Sequence, residues 1–433
     1  MAAIAHAVAT RTAQISKTGA GSDAYSDVLS MPSTDFVAGK KYLLLLTGQM
    51  NGNSSAGQFC MQAAHGGAAF AGSEYVVEPA GSTSTMFMTY CWFTVWTAVA
   101  SEAVAIQYKN IDTARTIIAD QCCIVAICLS DDLVENTDWF FNELTSPTTL
   151  STTFQVGATK TFTPANAGDR WLVMTTARLS GVSVVVNYES RMSRSGEASS
   201  LTPLCTGEGE NAASLDRFLF THWRAFTLGA ASNTFREESR IDAAGTTEAR
   251  TYSAVFALNL AKFKDSASVY TEGGIDLSQA SIFATNVQTL AFTPSQSGDC
   301  VALGSWDYFP QATGSTTWGQ ARMQIDNVDA LATETADAYD REAAADAKDQ
   351  LPVREMALTS LTAAAHTIDV DGSTNLAAAG NSAINRSIVA FSMELFATPA
   401  AALTGTAVSG MTEGNMPGKV VRVTLTDAAY LDN

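Results

Sequence analysis

The chain has 433 residues, of which 46% are hydrophobic and only 16% charged, and its net charge is −18. That length admits several domains of roughly 100–200 residues each. The acidic balance excludes a protein that gains affinity from counterion release on nucleic acid and disfavours an anionic membrane surface, while scarce charge with abundant Thr and Ser suits strands and turns rather than coiled coils or disordered tails.

In chain order, Met1 to Ile15 lacks a basic segment followed by an apolar one, so no secretory signal is expected. Ala7–Lys17 is a strand candidate. A turn at Val37-Ala38-Gly39-Lys40-Lys41 then leads into an apolar strand, Tyr42–Leu46. The uncharged stretch Pro79–Ser101 contains Trp92, Phe93 and Trp96, but Ser, Thr and Gly interrupt it. A spanning helix needs about 20 uniformly apolar residues, so this reads as a buried strand region. The first third closes on the apolar run Ile124–Leu129.

The same opening and closing then recur twice. Ala167-Gly168-Asp169-Arg170 leads into Trp171–Met174, and Ser297-Gly298-Asp299-Cys300 into Val301–Leu303. Gly39, Gly168 and Gly298 are 129 and 130 residues apart. The lead-ins Phe162-Thr163-Pro164 and Phe292-Thr293-Pro294 lie 130 apart, as do Ile111-Asp112 and Ile241-Asp242. The closing strands Val255–Leu260 and Ile388–Met393 repeat Ile124–Leu129, with Ala126, Ala257 and Ala390 spaced 131 and 133. Such a period is the size of a whole domain, too long for a solenoid repeat or a propeller blade.

Within each repeat, short strands alternate with Gly, Asn, Ser and Pro clusters at intervals of roughly ten residues, the pattern of a sandwich or barrel. The opening and closing strands are continuous apolar runs, as expected at the centre of a two-sheet core. The expected fold is therefore all-β: three tandem related β-sandwich (jelly-roll-like) domains with a C-terminal extension. The expected boundaries are 1–145 with an N-terminal strand, 146–278, 279–396, and 397–433 as linker and C-terminal strand. Leu331–Gln350, rich in Ala and acids, reads as a solvated helix or insertion loop. Ala397–Gly418 reads as a linker into a strand, Lys419–Thr426, with Val421, Val423 and Leu425 on one face. Either terminal strand is a candidate subunit-joining arm, because a free edge invites a partner.

Chemistry-bearing patterns are sparse. The seven cysteines are odd in number and form no C-x-x-C pair, which suits buried free thiols and synthesis in a reducing cytosol. The four histidines show no H-x-x-x-H spacing, and no G-x-S-x-G elbow occurs. Gly414–Lys419 is one residue short of a phosphate loop and is followed by Val420 where a hydroxyl should hold magnesium. Asp369–Asn375 is dense in oxygens, but an EF-hand loop would need Gly at Thr374 and Glu at Gly380, so a turn between strands is expected. No catalytic, cofactor-binding or metal-ligating residue is expected. The candidates for contact with a partner or a glycan are Trp306, Tyr308 and Phe309, with Trp318, after the third opening strand, and Trp223 with Arg224 in the second repeat. Aromatic rings with polar neighbours make good anchors, although the same rings pack sheet faces.

Gly168–Val173 (Gly-Asp-Arg-Trp-Leu-Val), Ala249–Leu258 (Ala-Arg-Thr-Tyr-Ser-Ala-Val-Phe-Ala-Leu) and the small-residue, Thr-rich filling between them give the repeat a further likeness. It resembles the jelly-roll-like domains of tailed-bacteriophage virion structural proteins, over nearly the whole chain. The resemblance implies a non-enzymatic particle component, either a head decoration, spike or fibre, or a tail protein. It implies synthesis in the host cytoplasm, association with other virion proteins and a symmetric homo-oligomer. Three linked sandwiches could also act as a pseudo-trimer within one chain. The alternative is a carbohydrate-binding adhesin or host-recognition module that meets a host surface glycan. No site residues transfer from the resemblance.

Overall fold

The structure is a computed structural model that describes residues 3–18, 24–52, 59–77, 88–111, 116–181, 186–195, 205–209, 216–242, 248–277, 285–309, 317–330, 336–340, 351–374 and 382–396. Apart from two short 3-10 turns, its regular elements are all strands. Eight principal strands recur three times. The first unit contains β1 (His6–Arg11), β2 (Ser26–Met31), β3 (Lys41–Gly52), β4 (Phe59–His65), β5 (Tyr75–Val77), β6 (Met88–Thr97), β7 (Val104–Asn110) and β8 (Thr116–Cys128). The second contains β9 (Trp139–Leu144), β10 (Gln155–Phe162), β11 (Arg170–Gly181), β12 (Val186–Arg194), β13 (Cys205–Gly209), β14 (Asp216–Thr227), β15 (Asn233–Ile241) and β16 (Ala249–Asn259). The third contains β17 (Ser266–Thr271), β18 (Thr285–Phe292), β19 (Gly298–Phe309), β20 (Thr317–Ile325), β21 (Ala336–Asp340), β22 (Leu351–Leu361), β23 (His366–Thr374) and β24 (Ser382–Ser392).

The sheet orders are the same in all three. One sheet runs β1-β8-β3-β6, then β9-β16-β11-β14, then β17-β24-β19-β22. The other runs β2-β7-β4-β5, then β10-β15-β12-β13, then β18-β23-β20-β21. All ladders between these strands are antiparallel, and in each unit the first and eighth strands pair while the third lies beside the eighth. This is the jelly-roll topology, with its eight strands divided between two facing sheets.

The apolar opening run is the third strand of each unit, not the first. Two strands precede it, and the first of them lies before each expected boundary. β9 ladders with β16, and β17 with β24. Boundaries at 145 and 278 therefore cut β9 and β17 away from the sheets they complete. The recurring turn glycine has a backbone reason in two units: Gly39 and Gly168 have φ of 82° and 94°, a conformation open to glycine at little cost. Gly298 already belongs to β19.

The opening strands are apolar on both faces because both faces are buried. In β3, Tyr42, Leu44 and Leu46 point into the first sandwich, while Leu43 and Leu45 point into a core shared by all three units. β11 divides Trp171 and Val173 from Leu172 and Met174 in the same way. β19 divides Cys300 and Ala302 from Val301 and Leu303. A two-sheet core alone would have left one face of each strand wet.

Other expectations are corrected. The described part of Leu331–Gln350 is a strand, β21, rather than a helix or loop. Asp369–Thr374 belongs to strand β23 rather than a turn. There Asp369 accepts hydrogen bonds from Thr289 and Asn286, at 2.6 and 3.1 Å, and Asp371 pairs with Arg322 at 3.2 Å. Ala7–Lys17 resolves into β1 and a short strand, Ile15–Thr18, both on β8. The described part of Pro79–Ser101 is β6, and among the described residues no helix is long and apolar enough to cross a membrane. The six described cysteines are buried free thiols. Ala397–Gly418, Lys419–Thr426 and the side chain of Cys205 lie outside the described residues.

Candidate functional site

The distinctive feature is the place where the three sandwiches meet. Strand register defines equivalent residues: Leu43, Leu172 and Val301 lie opposite Val95, Ala225 and Leu358 on β6, β14 and β22. These three strands are the inner edges of their sheets, and each contacts the other two. Contacts also pass cyclically from each unit's fifth strand to the sixth strand of the next unit. β5 meets β14, β13 meets β22, and β21 meets β6. Each contact is heterologous, and the rotation closes after three. The chain is thus a ring of three jelly rolls around one pseudo-threefold axis.

Two layers of equivalent residues line that axis. Phe93, Trp223 and Met356 form an apolar layer within the shared core. Cys91, Thr221 and Arg354 form the next layer, and they are joined to one another. The Thr221 hydroxyl donates to the Cys91 carbonyl at 2.8 Å, and Arg354 Nε donates to the Thr221 carbonyl at 2.7 Å. The same guanidinium donates to the carbonyls of Trp306 and Val353 at 2.7 and 2.9 Å and pairs with Asp307 at 3.0 Å. Arg354 is 4% exposed and Asp307 1%. Burial pushes the Cys91 thiol up to about 12, against the opposing charge of Arg354. Three identical chains around a true axis would bring three arginines together at this level, each repelling the others in a poor dielectric. A single chain can place one arginine against a threonine and a cysteine.

The seams between units use equivalent positions too. His6, Trp139 and Ser266 start the first strand of each unit, opposite Ile127, Leu258 and Phe391. Each is met by the start of the preceding unit's third strand. Lys41 lies 5.5 Å from the centre of the Trp139 ring and pairs with Glu135 at 2.6 Å. Arg170 donates to the Ser266 carbonyl at 2.6 Å. Asp299 pairs with His6 at 2.9 Å, and together with a hydrogen bond from Ser360 this holds its carboxyl below the usual range. The chain itself crosses the first two seams. At the third, the two ends of the ring meet without a covalent link: Ile4 N–H donates to the Met393 carbonyl at 2.8 Å, and Ala3 bridges Glu394.

Shape is exacting at the first seam. Gly72 has φ of 76°, and a Cβ there would lie 2.0 Å from Cγ of Tyr252 in the next unit. Beside it, Arg217 pairs with Glu74, which also accepts from Tyr25.

The aromatic candidates do not gather on a surface. Trp306 and Tyr308 lie within strand β19 and are buried in the third sandwich. Trp223 is buried in the shared core. Arg224 stacks on Tyr270 of the third unit at 3.6 Å, and Phe309 is half-buried at the end of β19. Trp318 lies on β20, and its side chain is outside the described residues. The rings of Trp306, Tyr308 and Trp223 pack the fold. Placing Trp306, Tyr308 and Phe309 after the third opening strand missed that β19 runs on to Phe309.

One polar cluster was not legible in advance. The second sandwich holds two separate apolar clusters, one around Trp171 and Phe235 and the other around Tyr188 and Phe220, whereas the first and third hold one each. Thr175, Ser190, His222, Glu237, Ser239, Arg250 and Ser253 are buried in the same unit. Ser190 Oγ lies 3.3 Å from Glu237 Oε1 and 3.4 Å from His222 Nε2. Arg250 donates to the carbonyls of Gln155 and Val156 at 2.9 Å and lies 3.5 Å from Glu237. Burial raises the Glu237 carboxyl to about 7 despite Arg250, and burial also drives the His222 imidazole well below its usual value. The serine, imidazole and carboxylate resemble a hydrolytic set in composition only. The serine lies between the other two instead of at one end, and all three are sealed from substrate. The cluster can hold sheets together: Arg386 does the same in the third unit, reaching the Val287 carbonyl at 2.6 Å. A lone arginine at the head of an otherwise uncharged closing strand was the available signal. Among the described residues, no three His, Cys, Asp or Glu side chains group as metal ligands.

No protein-family model matches the chain, and no curated protein does. Solved structures with partial likeness include a chain of the Sulfolobus turreted icosahedral virus, at 8% identity and a TM-score of 0.20, covering 89% of this chain and 91% of that one. A second is the subject of "The Triple Jelly Roll Fold and Turret Assembly in an Archaeal Virus", at 8% identity and 0.17, covering 89% and 92%. A third is the tandem CBM22 domain pair of Paenibacillus barcinonensis Xyn10C, at 8% identity and 0.19, covering 59% and 91%. At TM-scores this low the likenesses carry no weight for fold or function, and the fold rests on strand order alone.

Proposed function

We propose that this chain is a non-enzymatic structural component of a virus particle, a ready-made threefold block. The observation that supports this best is the cyclic closure of three jelly rolls around one buried axis. Closure hides the edges of β6, β14 and β22, which would otherwise invite pairing, and leaves three equivalent sheets facing away from the shared core. On those outer faces the same position carries a cross-strand polar pair in each unit: Gln62 with Gln107, Arg191 with Glu238, and Arg322 with Asp371. A rigid block with three similar outer faces suits contacts repeated around a lattice. The net charge of −18 favours solubility before assembly.

Within that reading, the resemblance drawn from the repeats favours a tailed phage, with the block placed as a head decoration, fibre or tail component, assembled with other virion proteins as a homo-oligomer and made in the host cytoplasm. The adhesin alternative loses support, because Trp306, Tyr308 and Trp223 are buried. The test is to purify particles from an infected culture and locate this chain by quantitative mass spectrometry and antibody-labelled electron microscopy. Stoichiometric presence at fixed positions is expected. Recovery only in the soluble lysate would overturn the proposal.

A further inference from the structure

We infer that the second sandwich is a proton-sensitive element, whose two sheets loosen as the pH rises past neutrality while the first and third units stay closed. This does not depend on the proposed role in a particle.

The geometry sets the second unit apart. At the level where β11 and β14 carry Thr175 and His222, the first unit carries Leu46 and Trp92, both within a single apolar core. Glu237 is fully buried on β15, and its Oε2 has no hydrogen-bond partner. Each packed strand shows it a defined group. β16 presents Arg250 and Ser253, β12 presents Ser190, β14 presents His222, and β10 presents Gly157. Glu238 adds a repelling charge from its own strand, on the opposite sheet face and already paired with Arg191. Among the described residues Arg250 is the one cation beside it, and its guanidinium is also engaged by the Gln155 and Val156 carbonyls and by the Ser239 hydroxyl. Gly157 backs directly onto the carboxyl: a Cβ there would sit 2.1 Å from Glu237 Oε2. A proton on this carboxyl is therefore the inexpensive way to keep it inside.

The sign follows from linkage. The folded carboxyl holds its proton up to about 7, and the unfolded one only to 4.5. The folded state thus binds more protons between those values, and stability falls as the pH rises through that window. From pH 6 to pH 8 those two values let Glu237 alone change the opening equilibrium of the second unit by about tenfold, while His222 of the same unit, held below its ordinary 6.5, opposes it by roughly fourfold, leaving a net change of about two- to threefold.

Hydrogen exchange read by mass spectrometry on the whole chain tests this, after correction for the base-catalysed exchange rate. Protection in peptides from β10, β15 and β16 should fall about two- to threefold between pH 6 and pH 8. Peptides from β3 and β19 should not change. E237Q should turn the fall into a rise of roughly fourfold, the contribution of His222, and E238Q, on the outer face, should retain the fall. If E237Q does not fold, the wild-type midpoint decides: a transition near neutrality confined to the second unit supports the inference. An equal pH response in all three units, or a loss of protection with rising pH that survives in E237Q, overturns it.

Discussion

Arg354→Met removes the one guanidinium on the axis while keeping much of its apolar volume. At least four hydrogen bonds are lost, one of them the link to the Thr221 carbonyl in the neighbouring unit. Asp307, 1% exposed, then stays buried without its guanidinium, with Asn385 at 3.4 Å. Removing one member of a buried pair costs about 3–5 kcal/mol, because the other is left uncompensated. Adding Asp307→Asn deletes that orphan charge, so the double variant should recover roughly 2 kcal/mol or more. Calorimetry also reports what unfolds. At about 2.1 cal/mol/K per residue, the single variant lowers Tm by roughly 3–6 °C if the whole ring melts together, but by roughly 11–18 °C if one unit melts alone. A shared core requires the smaller drop in a single transition. A loss below ~1 kcal/mol, or no recovery on adding Asp307→Asn, would refute the role given to this pair.

Gly72→Ala should weaken the first seam by ~2 kcal/mol or more, since it combines a left-handed backbone with a clash against Tyr252, and urea unfolding would register it. Trp306→Ala should cost ~3–5 kcal/mol in the same assay, as a truncation in the third core, with no separate effect on glycan binding by the folded fraction. At the third seam, Asp299 has a depressed folded value against 3.8, so its contribution is present above that pH and is lost as the pH falls through the lower folded value. Protease cleavage near residues 3–6 should therefore rise selectively in acid, and Asp299→Asn should remove that selectivity. His222 gives the second unit an acid limit as well. Its folded value lies below 6.5, so stability falls as the pH drops past 6.5, an effect that His222→Gln should flatten in pH-dependent melting.

The repeat was legible because each unit reuses the same apolar opening and closing strands. Glycines such as Gly39 and Gly168 mark a turn that few other residues can make. The unit edges were not legible, because β9 and β17 carry no comparable signature: Ser266–Thr271 has a single bulky apolar side chain besides its one valine, in Tyr270. The shared core was encoded in plain view, in runs such as Leu43–Leu46, but a continuous apolar strand does not say what covers its second face. The aromatic candidates failed for a related reason. Trp306 and Tyr308 alternate with Ser305, Asp307 and Phe309, and Asp307 looks like a loop residue until Arg354, 47 positions away, supplies its partner. The polar layer of the second sandwich depends on such long-range meetings throughout.

Cyclic closure is tested most directly where the chain does not cross. Ala3→Cys with Glu394→Cys places two thiols on residues that face each other across the third seam, within reach of a disulfide if the ring is closed. Under mild oxidation, near-complete cross-linking within a single chain is predicted, with a raised Tm and no dimer. Failure to cross-link, or cross-links only between separate chains, would contradict a ring of three sandwiches.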